Sequence, residues 1–185
     1  MGQTPAAADA HSPIEDFSQC HAGILSHLQE LGALPALLEP AARARRIAAD
    51  TLRFFREAVF EHHAEEEHEL FPAVLASATA GEERQRVQAI VHALAAEHRK
   101  VEAAWLRLEP QLKAVARGHD SALQSDDLRE LVDTYRAHAA YEESVFLPLS
   151  QQILGRNANH LAALGTALHM RHALPGVLQR FAGRI

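Results

Sequence analysis

Four long stretches of this 185-residue chain carry an apolar or histidine side chain at nearly every third or fourth position. That period lines one stripe of an α-helix, and no stretch shows the period-two alternation or the hairpin signals of strands. The chain is therefore expected to be all-α, with four stripes that must be buried. The first runs through Ile14, Phe17, His21, Ile24, Leu28 and Leu31, and the second through Leu52, Phe55, Val59, His63, Glu67, Leu70 and Val74. The third holds Val87, Val91, Leu94, His98, Val101, Trp105, Leu108, Leu112 and Val115. The fourth holds Leu128, Leu131, Tyr135, His138, Glu142, Val145, Leu149 and Ile153.

Punctuation residues divide these stripes. Ser12-Pro13-Ile14-Glu15 has the pattern of a helix start, with a capping serine, a proline in the first turn and a glutamate completing a capping box. Gly32 and Pro35 are expected to end or kink the first helix, and Pro40 to open the second. Pro72 should kink the second helix near its end, and Gly81 marks the next turn. Pro110 should kink the third helix and Gly118 stop it. Ser125, with Asp126 and Asp127, is expected to cap and charge the start of the fourth, which ends before Gly155.

Four long amphipathic helices with short connections imply an antiparallel, up-down four-helix bundle over residues 12–154. Residues 1–11 read as a disordered leader. Residues 155–185 read as a further helical segment on Leu161, Leu164 and Leu168, packed on the bundle and broken at Pro175-Gly176.

Several function classes fall away on charge and composition. The net charge is -6 and the basic residues are scattered, which argues against nucleic acid as a partner. No apolar run is long enough for a membrane span. Cys20 is the lone cysteine, so neither an intramolecular disulfide nor a thiolate cluster is available. With no signal-like leader, a soluble, cytoplasmic protein is expected.

Histidine is the anomaly, with 13 in the chain. Each seam contains one: His21, His63, His98 and His138. Their neighbours His27, His62, His68 and His92 fall off the seams. Counted from the turns, at about 1.5 Å rise per residue, antiparallel helices bring the four seam histidines to a similar depth. Glu67 and Glu142 follow His63 and His138 by four residues, on the same helix faces, and no Lys or Arg lies on the seams to pair them. A carboxylate facing a core is costly unless it is paired, hydrogen-bonded or bound to a cation. Imidazoles with two carboxylates suit iron, manganese or zinc, and the absence of thiolates argues against structural zinc.

Glu102, four after His98, is open between ligand, partner of a ligand and solvated residue. His160, His169 and His172 read as boundary histidines. The competing account is a metal-free helical interaction module whose histidines are satisfied by hydrogen bonds.

The ordered set resembles the hemerythrin-like, or HHE cation-binding, domain family. It comprises His21; His63-x-x-x-Glu67 followed by Leu70-Phe71-Pro72; His98 before Val101; and His138-x-x-x-Glu142 followed by Phe146-Leu147-Pro148. The resemblance implies a non-haem centre of two iron ions, with manganese or zinc as substitutes. His21, His63, His98 and His138 would be terminal ligands, Glu67 and Glu142 bridging carboxylates, and Glu102 an additional candidate. It further implies binding or sensing of dioxygen, nitric oxide or iron.

Oxygen-carrying members place a histidine where this chain has Glu102, and a shorter acid where it has Glu142. Both departures turn the expectation away from reversible oxygen carriage. A di-iron oxidoreductase of peroxidase, nitric oxide reductase or ferroxidase type is the alternative, with Tyr135 as a redox candidate.

Overall fold

The computed structural model describes residues 13–156, with side chains from Ser18 onward. Helix α1 spans Pro13–Phe54, α2 Phe60–Glu65, α3 Phe71–Ser77, α4 Glu82–Ala116, α5 Ser125–Tyr141 and α6 Leu147–Leu154. Three π-helical turns, Phe55–Val59, Glu66–Leu70 and Glu142–Phe146, join α1 to α2, α2 to α3 and α5 to α6 without a break. The described residues are all-helical, without strands, and form three long helical runs rather than the expected four helices. No helix among them is long and apolar enough to cross a membrane.

The difference lies at residues 32–40, which are helical throughout. Pro35 and Pro40 each remove one backbone donor, at about 3 kcal/mol in a helix interior. Their neighbours Ala33, Leu34, Ala36, Leu37, Leu38, Ala41 and Ala42 are strong helix formers, and the helix carries on through both prolines. Likewise α4 runs on through Pro110. Gly81 and Gly118 do mark the turns, both with positive φ. The N-cap of α5 is Gln124 rather than Ser125, which is the first helical residue, and Asp126 and Asp127 lie in its first turn. Ser12, the leader and the segment after Arg156 lie outside the described residues.

The chain divides into two compact units, Met1–Arg43 and Ala44–Ile185. Within the first, the described part is helical and Ile24, Leu28, Leu31, Leu34 and Leu37 are exposed. Within the second, three helical runs alternate in direction. One apolar cluster gathers Ala48, Phe55 and Val59 with Val101, Trp105, Leu108, Leu112 and Leu131. The other gathers Phe71, Val74 and Ala78 with Val87, Ile90, Leu94, Phe146, Ile153 and Leu154. Each run passes through both clusters, the first and third in one order and α4 in the other. Between the clusters, at mid-length of every run, lies a polar layer: His63 and Glu66, His98, then His138 and Glu142, all buried.

Candidate metal centre

Local winding decides which side chains enter this layer. From Val59 onward the buried positions of the first run are Val59, His63, Glu66, Phe71, Val74 and Ala78. The step of five from Glu66 to Phe71 is too long for one α-turn, and it coincides with the π turn Glu66–Leu70. There the Phe71 N–H donates to the Glu66 carbonyl, five residues back. Along the third run His138, Glu142, Phe146 and Ser150 are buried at steps of four. Such a series drifts by about 40° per step in an α-helix. The π turn Glu142–Phe146 absorbs the drift, and the Leu147 N–H donates to the Glu142 carbonyl. Pro72 and Pro148 stand just past these two turns. A proline lacks the N–H and crowds the carbonyl four residues back, so a widened turn relieves both defects.

His63, His98 and His138 come together, each offering a ring nitrogen within 4.8 Å of the others. The rings of His63 and His98 stack at 3.9 Å, and His138 stands edge-on to both, at 5.4 and 4.8 Å. His62, Glu66 and Glu142 form a second triplet with the same mutual reach. Glu66 joins the two triplets: its carboxylate is 3.2 Å from His98 Nε2 and 3.4 Å from His62 Nε2. His138 Nε2 is 3.9 Å from Glu142. A cavity of about 380 Å³ opens onto the centre, lined in part by His62, Glu66, Tyr135, His138, Glu142 and Leu147.

Neither ring nitrogen of His63, nor Nε2 of His98 or His138, makes a well-aligned hydrogen bond, although all are buried. Burying such groups without partners costs about 1–3 kcal/mol each. A cation would take one lone pair from each of the three rings together, and the residues present therefore fit a metal.

The electrostatics agree. Burial, with His98 and His138 nearby, holds the His63 pKa down to about 3, so its ring stays neutral and keeps a lone pair to donate. Burial, reinforced by the same His98, also lowers His138. His98 is raised: burial opposes its charge, but Glu66 and Glu67 outweigh it. Burial alone would raise Glu66, yet contacts with His98, Glu142 and His62 draw it down to about 2. Glu142 goes the other way, to about 9, through burial and the neighbouring Glu66. The two carboxyl groups thus hold one proton between them at neutral pH.

Of the sequence candidates, His63, His98, His138 and Glu142 meet in this layer. Glu67 does not face it as Glu66 does. One oxygen of Glu67 accepts from His98 Nδ1 at 2.8 Å and the other from Arg99 at 2.6 Å. Glu102 is likewise held by Arg99, at 2.6 Å to each oxygen. His21 lies in the first unit on an exposed turn of α1. His160, His169 and His172 lie outside the described residues.

His62 and Glu66 are the members that the seams missed. A signal for them was present in the repeat itself. Glu66-Glu67-His68-Glu69-Leu70-Phe71-Pro72 and Glu142-Glu143-Ser144-Val145-Phe146-Leu147-Pro148 share a Glu-Glu-x-x-apolar-apolar-Pro pattern. Set side by side, they pair Glu66 with Glu142 and His62 with His138.

Comparison with known proteins agrees with this geometry at the level of family. The family model described as the Hemerythrin HHE cation binding domain matches residues 12–150. No curated protein and no solved structure matches the chain. With three quarters of its length matched and a His/Glu cluster in its core, the chain belongs to the hemerythrin HHE cation-binding family.

Proposed function

We propose that the chain is a non-haem iron protein holding two iron ions in the layer between its apolar clusters. The observation that carries this reading is the pair of adjoining donor triplets, His63/His98/His138 and His62/Glu66/Glu142. Together they offer two donor sets joined by Glu66, and most of the buried imidazole nitrogens await a partner. Neutral imidazoles and carboxylates suit ferrous and ferric iron, with manganese and zinc as substitutes. Iron there would supply an open coordination position for a small molecule such as dioxygen or nitric oxide. The protein's own part is to keep His63 neutral, to release the Glu66–Glu142 proton as the metal binds and to admit the ligand through the cavity beside Tyr135. The role we assign is binding or sensing of such a ligand, or of iron itself.

As part of the same reading, His21 supplies a further ligand and its helix the fourth member of a bundle. The support is that the family match begins at residue 12 and so includes this segment. Its exposed Ile24, Leu28 and Leu31 carry the spacing of a seam.

Metal analysis with an absorption spectrum of freshly purified protein tests the proposal. About two iron per chain are expected, with a near-ultraviolet band that bleaches on chelation. His63→Ala and Glu66→Ala should each lose metal, and His21→Ala should weaken its retention. Protein that stays colourless and iron-free after anaerobic reconstitution would sink the reading.

Tyr135 favours a second reading, a di-iron oxidoreductase. Its ring lies 6.3 Å from His63 and 5.9 Å from His138, and it lines the cavity. Turnover of peroxide, nitric oxide or ferrous iron that disappears in Tyr135→Phe, with iron retained, would select it.

A further inference from the structure

We propose that Glu67 is a positioning residue for His98 and that Arg99 holds Glu67 to that task. This rests on the metal-centre reading and deepens it. The His98 ring lies between two carboxylates, with Glu67 at 2.8 Å on Nδ1 and Glu66 at 3.2 Å on Nε2. Both oxygens of Glu67 face nitrogen, Oε1 at His98 Nδ1 and Oε2 at an Arg99 N–H, and a carboxylate in that position accepts, so Nδ1 carries the proton. A neutral ring with its proton on Nδ1 has its lone pair on Nε2, the nitrogen turned toward Glu66 and the other histidines. The division of labour follows from position: Glu66 faces the inner side of the ring, where a metal would bind, and Glu67 fixes the outer side.

Arg99 explains why Glu67 stays outside. Its guanidinium takes the second oxygen of Glu67 at 2.6 Å and both oxygens of Glu102 at 2.6 Å. Both oxygens of Glu67 are thus committed, one to His98 and one to Arg99. A planar guanidinium suits such a clamp better than an ammonium would. His138 repeats the arrangement more loosely, with its Nδ1 3.4 Å from Glu97. In both rings Nδ1 faces a carboxylate while Nε2 is left for the centre. Outer partners of this kind fix the tautomer and orientation of a ligating histidine.

Two measurements on Glu67→Gln test the proposal. The first uses nitrogen NMR on metal-free, histidine-labelled protein at alkaline pH, where the ring is neutral. The parent should show His98 almost wholly as the Nδ1–H tautomer. The variant should show a mixture, and Arg99→Ala, a change at an exposed site, should move the same way. The second measures metal affinity. Glu67→Gln should keep the parent's stoichiometry but bind about 10–100-fold more weakly, the usual effect of removing an outer partner. An unchanged tautomer and affinity in Glu67→Gln would overturn the assignment. So would loss of metal as complete as in His63→Ala, because Glu67 would then be a direct ligand. The tautomer readout involves no metal. A parent that takes up no iron but shows the tautomer effect refutes the proposed function and leaves the Glu67–His98 assignment standing.

Discussion

Glu142 and His63 are the side chains whose protonation the buried layer distorts most, and they do so with opposite signs. Glu142 has a folded pKa of about 9 against 4.5 for the free side chain. The unfolded chain therefore releases this proton first, and the stability tied to it is complete below about 4.5 and lost as pH rises towards 9. His63 has a folded pKa of about 3 against 6.5. Below about 6.5 the unfolded chain takes a proton that the folded ring refuses, so stability falls as pH drops towards 3. Metal-free protein should thus weaken on both sides of mid-range. Glu142→Gln keeps the shape and removes the ionisation. In chelator, its melting temperature should exceed the parent's by a margin that grows, to several degrees, between about pH 5 and pH 9. Thermal unfolding followed by circular dichroism checks this, and a margin independent of pH would show that Glu142 ionises freely in the folded chain.

The helical elements translate residue pattern into site geometry, and here the two π turns matter most. Phe71, just beyond one π turn, and Phe146, the last residue of the other, each lie eight residues past a layer histidine and meet edge to face at 5.1 Å. Phe146 is fully buried, so Phe146→Ala should cost about 3–5 kcal/mol, measured by urea unfolding of metal-free protein. A loss under about 1 kcal/mol would mean that the Phe71–Phe146 pair does not anchor the turns. The same turns limited what the sequence disclosed. A constant 100° per residue fitted across residues 59–74 averages the winding before and after the inserted residue, and it selects Glu67 and Leu70. The structure instead buries Glu66 and Phe71. Where winding is regular, as around His98 in α4, the seam named the buried residue correctly. His138 and Glu142 were also legible, because the step of four between them is completed before the winding widens over Glu142–Phe146. The all-helical class and the turns at Gly81 and Gly118 followed from period and punctuation alone. The continuity of α1 through Pro35 and Pro40 did not, since proline reports a lost hydrogen bond but not whether the helix around it survives the loss.

At the scale of the whole molecule, a polar layer separates two apolar clusters, and metal-free protein must bury that layer with imidazole nitrogens unpaired. Metal uptake and folding are then coupled through protons as well as bonds. Near neutral pH Glu142 holds a proton, and the raised pKa of His98 favours the charged ring between Glu66 and Glu67. Under the proposed function, coordination at Glu142 and at His98 Nε2 would require those protons to leave. Binding should therefore release protons and tighten as pH rises from about 6 to 9, until metal hydrolysis intervenes. Calorimetric titration of metal-free protein with ferrous iron or zinc, in buffers of different ionisation enthalpy, counts the protons directly. One to two per chain are expected near neutral pH, fewer in Glu142→Gln. Saturating metal at about a thousand times its dissociation constant should also stabilise the fold by about 4 kcal/mol, a gain that His63→Ala should largely forfeit. The two measurements constrain each other. Stabilisation without proton release would place the metal on groups already ionised, such as the surface carboxylates, and away from the layer. Proton release that grows with pH-dependent affinity, in step with stabilisation, ties the cation to Glu142 and His98.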